Sequence, residues 1–452
     1  MTLFSREEAL ALAREIVAKS PAAETEVTVE STVDRFVRYA HVGPTQSADR
    51  ERVDVAIRVR VVRPGGVGEA RAEASTLERA TLEHTLAHAL ELAEAGIAPD
   101  DLVPLGGPVE VETSRAAPAT LAHGFDAKAE AVRRAVARAG EHRLEPAGLY
   151  ETCATAKALV NSRGREVFGE TSRASFSVVA SSPTSSGFAE TIASDVSALD
   201  VDGAIERAVD DALRSRDPRP IEPGTYEVVL APHAASALLL FFAYEGFSAR
   251  SFEERTSFLT DRVGDKLVSE RFTLFDDARH PQNPGWLFDG EGTPRERLLL
   301  FDRGRAQSPV SDRALARLTG GRSTGHALAQ PSSQGPVPQN LVVRAGESTL
   351  EDLIGRMERG LYVTQLHYVN TIEPHELVLT GVIRHAAWLV EKGKLVAPVA
   401  GLRFTDGLVR ALADLRGVGA RVERAGALFD GEVATPALHL GSLHFTSSTR
   451  GA

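Results

Sequence analysis

The segment Ala231–Phe252, APHAASALLLFFAYEGFSARSF, constrains the fold of this chain more than any other segment. Its central run, Ala234–Tyr244, is apolar around the whole helix, and a helix of this kind has to be buried by other parts of the protein. The run is much shorter than the roughly 20 apolar residues of a membrane span, and no other run approaches that length. We therefore expect a core helix that ends in a turn at Gly246.

The sequence around this helix predicts a mostly β second half. Residues Arg216–Pro223 hold three prolines in eight positions, which stiffens the chain and is typical of a boundary. The strand Tyr226–Leu230 leads into the helix, and short β-like runs follow it as far as Leu438–Phe445. The stretch Ala316–Gln339, rich in Gly, Ser, Pro and Gln, has the composition of a long mobile loop that covers a site or an interface.

The first half of the chain predicts two copies of one unit. The order strand, turn, strand, strand, helix occurs first with the alternating strand Val53–Val62 and a helix from about Leu77 to Ala95. It recurs with the strand Thr155–Asn161 and the helix Asp202–Arg214. An extra helix, Phe125–Ala139, lies between the copies. The repeated order of elements indicates a duplication.

These patterns together predict the α+β class and a chain in two parts. An N-terminal α+β domain would cover residues 1–220 and carry the duplicated strand-hairpin-helix unit. A C-terminal, mostly β and barrel-like domain would cover residues 221–452 and surround the buried helix.

Charge and cysteine usage exclude several classes of function. A net charge of −11 argues against nucleic acid as a partner, because phosphate binding needs a basic face. The lone cysteine, Cys153, excludes a disulfide framework and fits a reducing cytosol. The N-terminus has no uninterrupted apolar core; instead Ser5 and Glu8 have capping-box spacing at the start of an amphipathic helix. We expect a cytoplasmic protein with no membrane partner.

Five segments together resemble one family. The segments are YEVVLAP (Tyr226–Pro232), LFDGEGTP (Leu287–Pro294), GLYVTQLHY (Gly360–Tyr368), LVLTG (Leu377–Gly381) and WLVEKGKLVAPV (Trp388–Val399). Their order and spacing together are more specific than any single segment. In this order they resemble the TldD/PmbA (TldD/TldE) family of peptidase-related proteins, over about residues 25 to 445.

The resemblance implies a subunit that pairs with another around an internal cavity. In this family the TldD-type subunit carries a helix with His-Glu-x-x-x-His, and a later Cys completes its zinc site. The TldE/PmbA-type subunit lacks these ligands and forms a heterodimer with the TldD type. The pair cleaves peptides, including leader segments and small unfolded fragments.

The metal positions that the resemblance implies carry no ligand in this sequence. Phe242 and Phe247 occupy the two His positions, and Ala243 occupies that of the general base. The Cys expected near Gly431–Pro436 is also absent. Zinc needs about three nitrogen, oxygen or thiolate donors. We therefore expect neither a catalytic residue nor a metal here, and zinc only in the partner. Phe242 and Phe247 would fill the space of a metal.

Several polar residues are candidates for contact with a substrate or a partner. Tyr244 and Glu245 remain in the degenerate helix, although Glu245 could equally support the turn at Gly246. Asp289 and Glu291 could form a carboxylate pair for acid–base work, with Thr293 beside them. We favour a role for these three in loop and interface structure.

Two pairs of histidines have plainer explanations than metal binding. His84 and His88 lie at i and i+4 on a helix, but no third ligand is nearby in the sequence, and an exposed helix face explains them. His367 and His375 lie in or beside a predicted hairpin, where histidines at strand ends are usually solvated.

The function expected from these observations is that of a catalytically silent TldE/PmbA-like subunit. It would shape the cavity and hold a peptide for a TldD-like partner. Two alternatives stay open. One is a homodimeric hydrolase or peptidase that uses non-zinc residues such as Glu245, Asp289 or Glu291. The other is a peptide-binding module without catalysis.

Overall fold

The computed structural model describes residues 3–64, 66–96, 102–426 and 431–448. In the first half, α1 is Arg6–Lys19, α2 Arg79–Ala95, α3 Pro118–Ala122, α4 Phe125–Glu141 and α5 Val201–Arg214. The strands of this half are β1 Glu24–Ala40, β2 Gly43–Arg63, β3 Gly66–Ala74, β4 Glu145–Asn161, β5 Glu166–Ser181 and β6 Ser186–Ala193.

The six strands form one antiparallel sheet in the order β3-β2-β1-β4-β5-β6. Each copy of the predicted unit supplies three consecutive strands, and the two copies meet at β1 and β4. A helix follows each set of three strands, α2 after β3 and α5 after β6. The predicted duplication is therefore confirmed, with α4 as the extra helix between the copies.

The helices of this half cover one face of the sheet. At one end, α1 and α2 pack on residues such as Val27 and Ile57, and at the other end α4 and α5 pack on Val37 and Phe176. Side chains alternate along a strand, so one set faces these helices and the other set faces the second half of the chain. The N-terminal helix begins where the sequence predicted, because Ser5 and Glu8 form the reciprocal capping box.

The second half contains short helices and many strands. Its helices are α6 Pro232–Phe241, α7 Ala249–Glu253, α8 Arg313–Thr319, α9 Leu350–Gly355 and α10 Leu408–Ala413. Its strands are β7 Gly224–Leu230, β8 Leu274–Asp276, β9 Leu298–Asp302, β10 Arg305–Ala306, β11 Leu341–Val343, β12 Arg359–Glu373, β13 Val378–Glu391, β14 Lys394–Pro398, β15 Leu402–Gly407, β16 Leu415–Val418, β17 Glu423–Gly426, β18 Glu432–Thr435 and β19 Leu438–Ser448.

Five of these strands close into a barrel. Their order is β12-β7-β19-β15-β13, and pairing of β12 with β13 completes the circle. A second sheet, β10-β9-β8-β11-β18-β17, lies beside the barrel. Helix α6 packs between them, against β12 on one side and β17 and β18 on the other. The predicted α+β class, with a barrel-like second half and one buried helix, is confirmed.

Residues 316–339 differ in part from the predicted loop. The chain up to Thr319 belongs to α8, and the remainder has no regular helix or strand. His326 within it is fully buried. In the described part of the chain, no helix has both the length and the apolar character needed to cross a membrane.

Candidate functional site

A cleft between the first sheet and the second half of the chain holds three neighbouring cavities. Cavity A, of about 460 Å³, lies between β4 and β5 on one side and the end of α6 on the other. Cavity B, of about 540 Å³, lies between β4, β5, β6 and β12. Cavity C, of about 480 Å³, lies at the start of α6. Cavities A and B share Cys153, Arg173 and Glu432 in their walls, so they adjoin at the boundary of the two halves.

Strand alternation explains why polar side chains of the first half reach this cleft. In β4, Ala154 and Ala156 are buried on the helix-covered side, whereas Cys153 and Thr155 line cavity A. Arg173 pairs directly with Cys153 across the β4–β5 ladder and faces the same way. The free face of the sheet is therefore one wall of the site.

The opposite wall of cavity A is the end of the buried helix. Helix α6 stops at Phe241 and continues as a π-helical turn, Phe242–Gly246, in which the Phe247 amide donates to the Phe242 carbonyl over 2.9 Å. Such turns widen the helix and are frequent at functional sites. The turn directs Ala243 and Tyr244 to cavity A.

The two phenylalanines of this turn face a different region. Phe242 and Phe247 have no exposed surface and belong to a group of five close-packed rings. The ring centroid of Phe301 lies 5.2 Å from that of Phe242 and 5.3 Å from that of Phe247. The remaining rings of this Phe cluster are Phe258 and Phe272.

This environment does not fit the zinc ion that the family resemblance implies. Phe242, Ala243 and Phe247 offer no nitrogen, oxygen or sulfur donor in their side chains, and zinc requires such donors. Aromatic rings occupy the space around both phenylalanines. Among the residues that the structure describes, no three His, Cys, Asp or Glu side chains are grouped to hold a metal.

Glu245 is held beside β12. Its Oε1 accepts a hydrogen bond from Thr371 Oγ1 over 3.2 Å, and the residue is half-buried. It is absent from the described walls of cavities A, B and C, whereas Tyr244 lines cavity A. The two candidates from the degenerate helix therefore occupy different surroundings.

Asp289, Glu291 and Thr293 form a buried loop. Asp289 Oδ1 accepts from the amides of Glu291 and Thr293 over 2.9 and 2.8 Å, and its Oδ2 accepts from the Ala327 amide over 2.9 Å. Arg165, in the β4–β5 turn, donates to the Glu291 carbonyl and to Thr293 Oγ1 over 2.8 and 3.1 Å. The loop thus joins the two halves. None of its three candidates belongs to the described walls of cavity A, B or C.

Burial changes the acidity of this loop. Loss of solvent, together with the charge of Asp289, raises the pKa of Glu291 to about 7. Burial also raises the pKa of Asp289, although three amide hydrogen bonds oppose that change. Both carboxyl groups therefore hold their protons more tightly than a solvated carboxyl group would.

A half-buried charge cluster lines the cleft, and it consists of Arg173, Glu190, His233, Arg424 and Glu432. Arg173 and Arg424 both donate to Glu432. Glu190 pairs with His233 Nε2 over 3.2 Å. Burial alone would raise the pKa of Glu190, but the hydrogen bond and charge of His233 and the charge of Arg173 hold that pKa below its usual value.

No pattern in the sequence indicated this charge cluster. Its members lie on five different elements, β5, β6, α6, β17 and β18, and the chain between them forms ordinary strands and helices.

The structure also shows the surroundings of three of the four candidate histidines. His84 and His88 lie on the exposed side of α2, and His367 Nε2 lies 2.9 Å from Arg384 Nη1.

Comparison with known proteins assigns a family to the second half. The model of the PmbA/TldA metallopeptidase C-terminal domain matches residues 223–447. A metalloprotease TldD homolog from Buchnera aphidicola (subspecies Acyrthosiphon pisum) is 29% identical over 203 residues, which are 44% of this chain and 41% of that protein. A metalloprotease TldD homolog from Haemophilus influenzae is 29% identical over 182 residues, 39% of this chain and 37% of that protein. The chain thus spans about two fifths of the length of these relatives.

The fold likeness extends over the whole chain. TldE from Thermococcus kodakarensis superposes with a TM-score of 0.85 over 98% of this chain and 99% of that one, at 20% sequence identity. At this identity the likeness concerns the fold. Together with the match over residues 223–447, it identifies the chain as a member of the TldD/PmbA metallopeptidase family.

Proposed function

We propose that this chain is a non-catalytic, TldE/PmbA-like subunit of a heterodimeric zinc metallopeptidase that acts on peptides. A TldD-like partner supplies the zinc ion and the general base, and this chain shapes the cavity and holds the substrate. The observation that carries the proposal is the presence of Phe242, Ala243 and Phe247 where the family motif has His, Glu and His.

The packing of these residues supports the proposal. A metal ligand has to direct its donor atom at an open coordination position, and a catalytic zinc also keeps one position free for water. Phe242 and Phe247 instead direct their rings into the Phe cluster, where neither has exposed surface. A single substitution to histidine would place a polar ring among aromatic side chains and would not create three donors.

The cleft supports a role in holding substrate. The volumes of cavities A and B fall in the range of sites that bind small ligands or short peptide segments. Their walls combine apolar groups from α6 with polar groups from the sheet, as in Ala243 opposite Thr155. Ala243 contributes only a methyl group at the position of the general base.

We propose the cytoplasm as the place of action. A sequence with Cys153 as its one cysteine has no disulfide to form within the chain, which suits a reducing compartment.

Metal content and activity of the separate subunits test the proposal. The chain purified alone should hold less than about a tenth of an equivalent of zinc, because the donors are missing. It should cleave no peptide, whereas the pair with a TldD-like protein of the same organism should. Replacing a zinc-ligand histidine of that protein by alanine should abolish turnover. Alanine at Glu245, Asp289 or Glu291 of this chain should leave turnover measurable.

Three results would contradict the proposal. Zinc near one equivalent after dialysis against a mild chelator would show a metal site in this chain. Peptide cleavage by the chain alone, lost on substitution of Glu245, Asp289 or Glu291, would favour a homodimeric hydrolase. Peptide binding with no gain of cleavage beside any TldD-like protein would favour a binding module.

A further inference from the structure

Cavity B contains a buried amide that the fold leaves unsatisfied. Gln365 on β12 lines this cavity and is only 8% exposed. Its Oε1 has no hydrogen-bond partner among the described residues. The backbone of Gln365 takes part in the β12–β13 pairing opposite Arg384, so the position in the strand is fixed, and the unpaired atom is the side-chain oxygen.

An unpaired buried amide disfavours folding, and an apolar side chain of similar size would avoid that loss. Native proteins contain few such groups, and those present usually meet an ordered water or a ligand, or serve a function. The side chain of Gln365 borders a cavity of about 540 Å³, and the torsion that carries its terminal amide has a broad, roughly two-fold preference, so either end of the amide can face the cavity. A molecule in cavity B can therefore reach it.

The charges around cavity B restrict what that molecule can be. Glu151, Glu190 and Glu432 line the cavity, and Arg173 is the guanidinium group in the same wall. Arg424 reaches Glu432 from the neighbouring cavity A. Carboxylates outnumber guanidinium groups even with Arg424 included, and His233, which pairs with Glu190 in the same wall, adds a positive charge only when it is protonated. An anionic ligand would meet a surplus of like charge, whereas a neutral or cationic ligand would not.

We propose that cavity B binds a neutral or positively charged peptide segment and that the Gln365 side chain hydrogen-bonds a backbone amide of that segment. The inference rests on the substrate-holding role proposed above and defines its chemistry. Gln365 offers an acceptor and a donor on one planar group, as a peptide unit does, so the two are complementary. Ser175 and Ser177, which line the same cavity, add hydroxyl groups to this wall.

Peptide binding to the full chain, measured by calorimetric titration, tests the proposal. The probes are acetylated and amidated penta-alanine peptides whose central residue is alanine, lysine or glutamate. The alanine and lysine peptides should bind, and the glutamate peptide should bind at least several-fold more weakly. Gln365→Met should weaken binding about tenfold, the loss expected for one hydrogen bond. Gln46→Met, at an exposed position of β2, is the matched control and should leave affinity unchanged.

A second measurement needs no substitution in the cavity. Cys153 is the single cysteine of the chain and lies where cavities A and B adjoin. A bound peptide should slow modification of its thiol by a small methanethiosulfonate reagent. The glutamate peptide, at the same concentration, should protect the thiol less than the lysine peptide does.

The thermal midpoint separates a ligand-binding role from a structural one. If Gln365 binds ligand, Gln365→Met should raise the melting temperature of the free chain by a few degrees, because an unsatisfied amide is removed. A lower melting temperature with unchanged peptide affinity would give Gln365 a structural role and overturn the proposal. Preferred binding of the glutamate peptide, or no binding of any probe, would also overturn it.

These failures remain distinct from failure of the proposed function. A reconstituted pair that cleaves peptides normally with Gln365→Met would contradict this inference alone. A wild-type pair that cleaves no peptide would contradict the proposed function, and binding to the isolated chain could still be measured.

Discussion

Phe242 and Phe247 are the positions at which the resemblance implies metal ligands, and both belong to the Phe cluster. Each ring contacts Phe258 and Phe301 in edge or tilted geometry, with ring centroids 5.2 to 5.5 Å apart. Aromatic pairs at these separations add to the free energy gained by burial. Residues whose side chains offer no donor to a metal therefore stabilise the core.

Truncation of Phe242 should lower stability strongly. Phe242→Ala leaves a cavity among close-packed rings, and we expect a loss of about 3–5 kcal/mol in the free energy of unfolding. Phe125→Ala, at a position 51% exposed, is the control and should change it little. Urea denaturation measures both. A loss for Phe242→Ala as small as that of the control would mean that the cluster packs loosely.

Glu291 makes stability depend on pH. Burial is the main reason why its pKa in the folded chain is raised to about 7, and its pKa in the unfolded chain should be near the ordinary value of 4.5. Between these values the folded chain binds more protons than the unfolded chain. Stability is therefore fully present below about pH 4.5 and falls as the pH rises towards about 7.

Glu291→Gln should remove this dependence. At pH 8 the variant should be more stable than the wild type by up to about 3 kcal/mol, since one pKa unit corresponds to about 1.4 kcal/mol. At pH 5 the two should differ much less. Denaturant titration at both pH values measures the effect, with exposed Glu253→Gln as the control. A constant difference at both pH values would contradict the assignment.

At the scale of elements, the π-helical turn after α6 determines which side chains reach cavity A. Gly246 permits this turn to pack against Phe258, because a Cβ at Gly246 would lie 2.3 Å from Phe258 Cε1. Ala243 and Tyr244 then face the cavity while Phe242 and Phe247 face the core. An uninterrupted α-helix would present a different set of residues to each side.

Alanine at two helical glycines should have opposite effects. Gly246→Ala has to displace a buried ring, and we expect a loss of about 1–3 kcal/mol in the free energy of unfolding. Gly140→Ala, in α4, meets no atom within 4 Å and should stabilise the chain by about 0.5–1 kcal/mol. Thermal unfolding of the two variants measures both signs. Equal effects would show that the space around Gly246 adapts easily.

At the scale of the whole molecule, several polar contacts connect the halves, and two of them involve the residues described above. One is the charge cluster, in which Glu432 of β18 accepts from Arg173 of β5. The other is the loop at Asp289–Thr293, whose carbonyl and hydroxyl groups accept from Arg165. Arg173 and Glu432 of the charge cluster line the cleft, whereas the loop lies outside the described walls of cavities A, B and C.

Removal of Glu432 should weaken the junction between the halves. Glu432→Ala leaves Arg424, with a side chain only 10% exposed, without its carboxylate partner, and we expect a loss of about 3 kcal/mol. Glu206→Ala, which breaks an exposed pair with Arg138, should change stability little. Limited proteolysis together with urea denaturation measures the effect. Equal sensitivity of the two variants would contradict a structural role for the cluster.

Local patterns in the sequence were sufficient for the elements. The alternation in Val53–Val62 specified a strand, and the Ser5–Glu8 spacing specified where α1 begins, because both depend on residues close in the chain. The alternation did not indicate that residues 55–60 are buried on both faces of the sheet. The repeated order of strands and helix predicted the duplication. Family resemblance, and not periodicity, led to the prediction that Phe242, Ala243 and Phe247 stand at the positions of absent ligands.

Only the tertiary structure decided what surrounds the cleft. Alternation predicts that Cys153 and Arg173 share one face of the sheet, but it does not state what that face meets. Glu432 and Gln365 reach the same space from positions about 200 residues or more later in the chain. The closure of the barrel and the packing of α6 bring them there. Short-range preferences therefore determine the strands and helices, whereas the cleft arises from contacts between residues that the sequence keeps far apart.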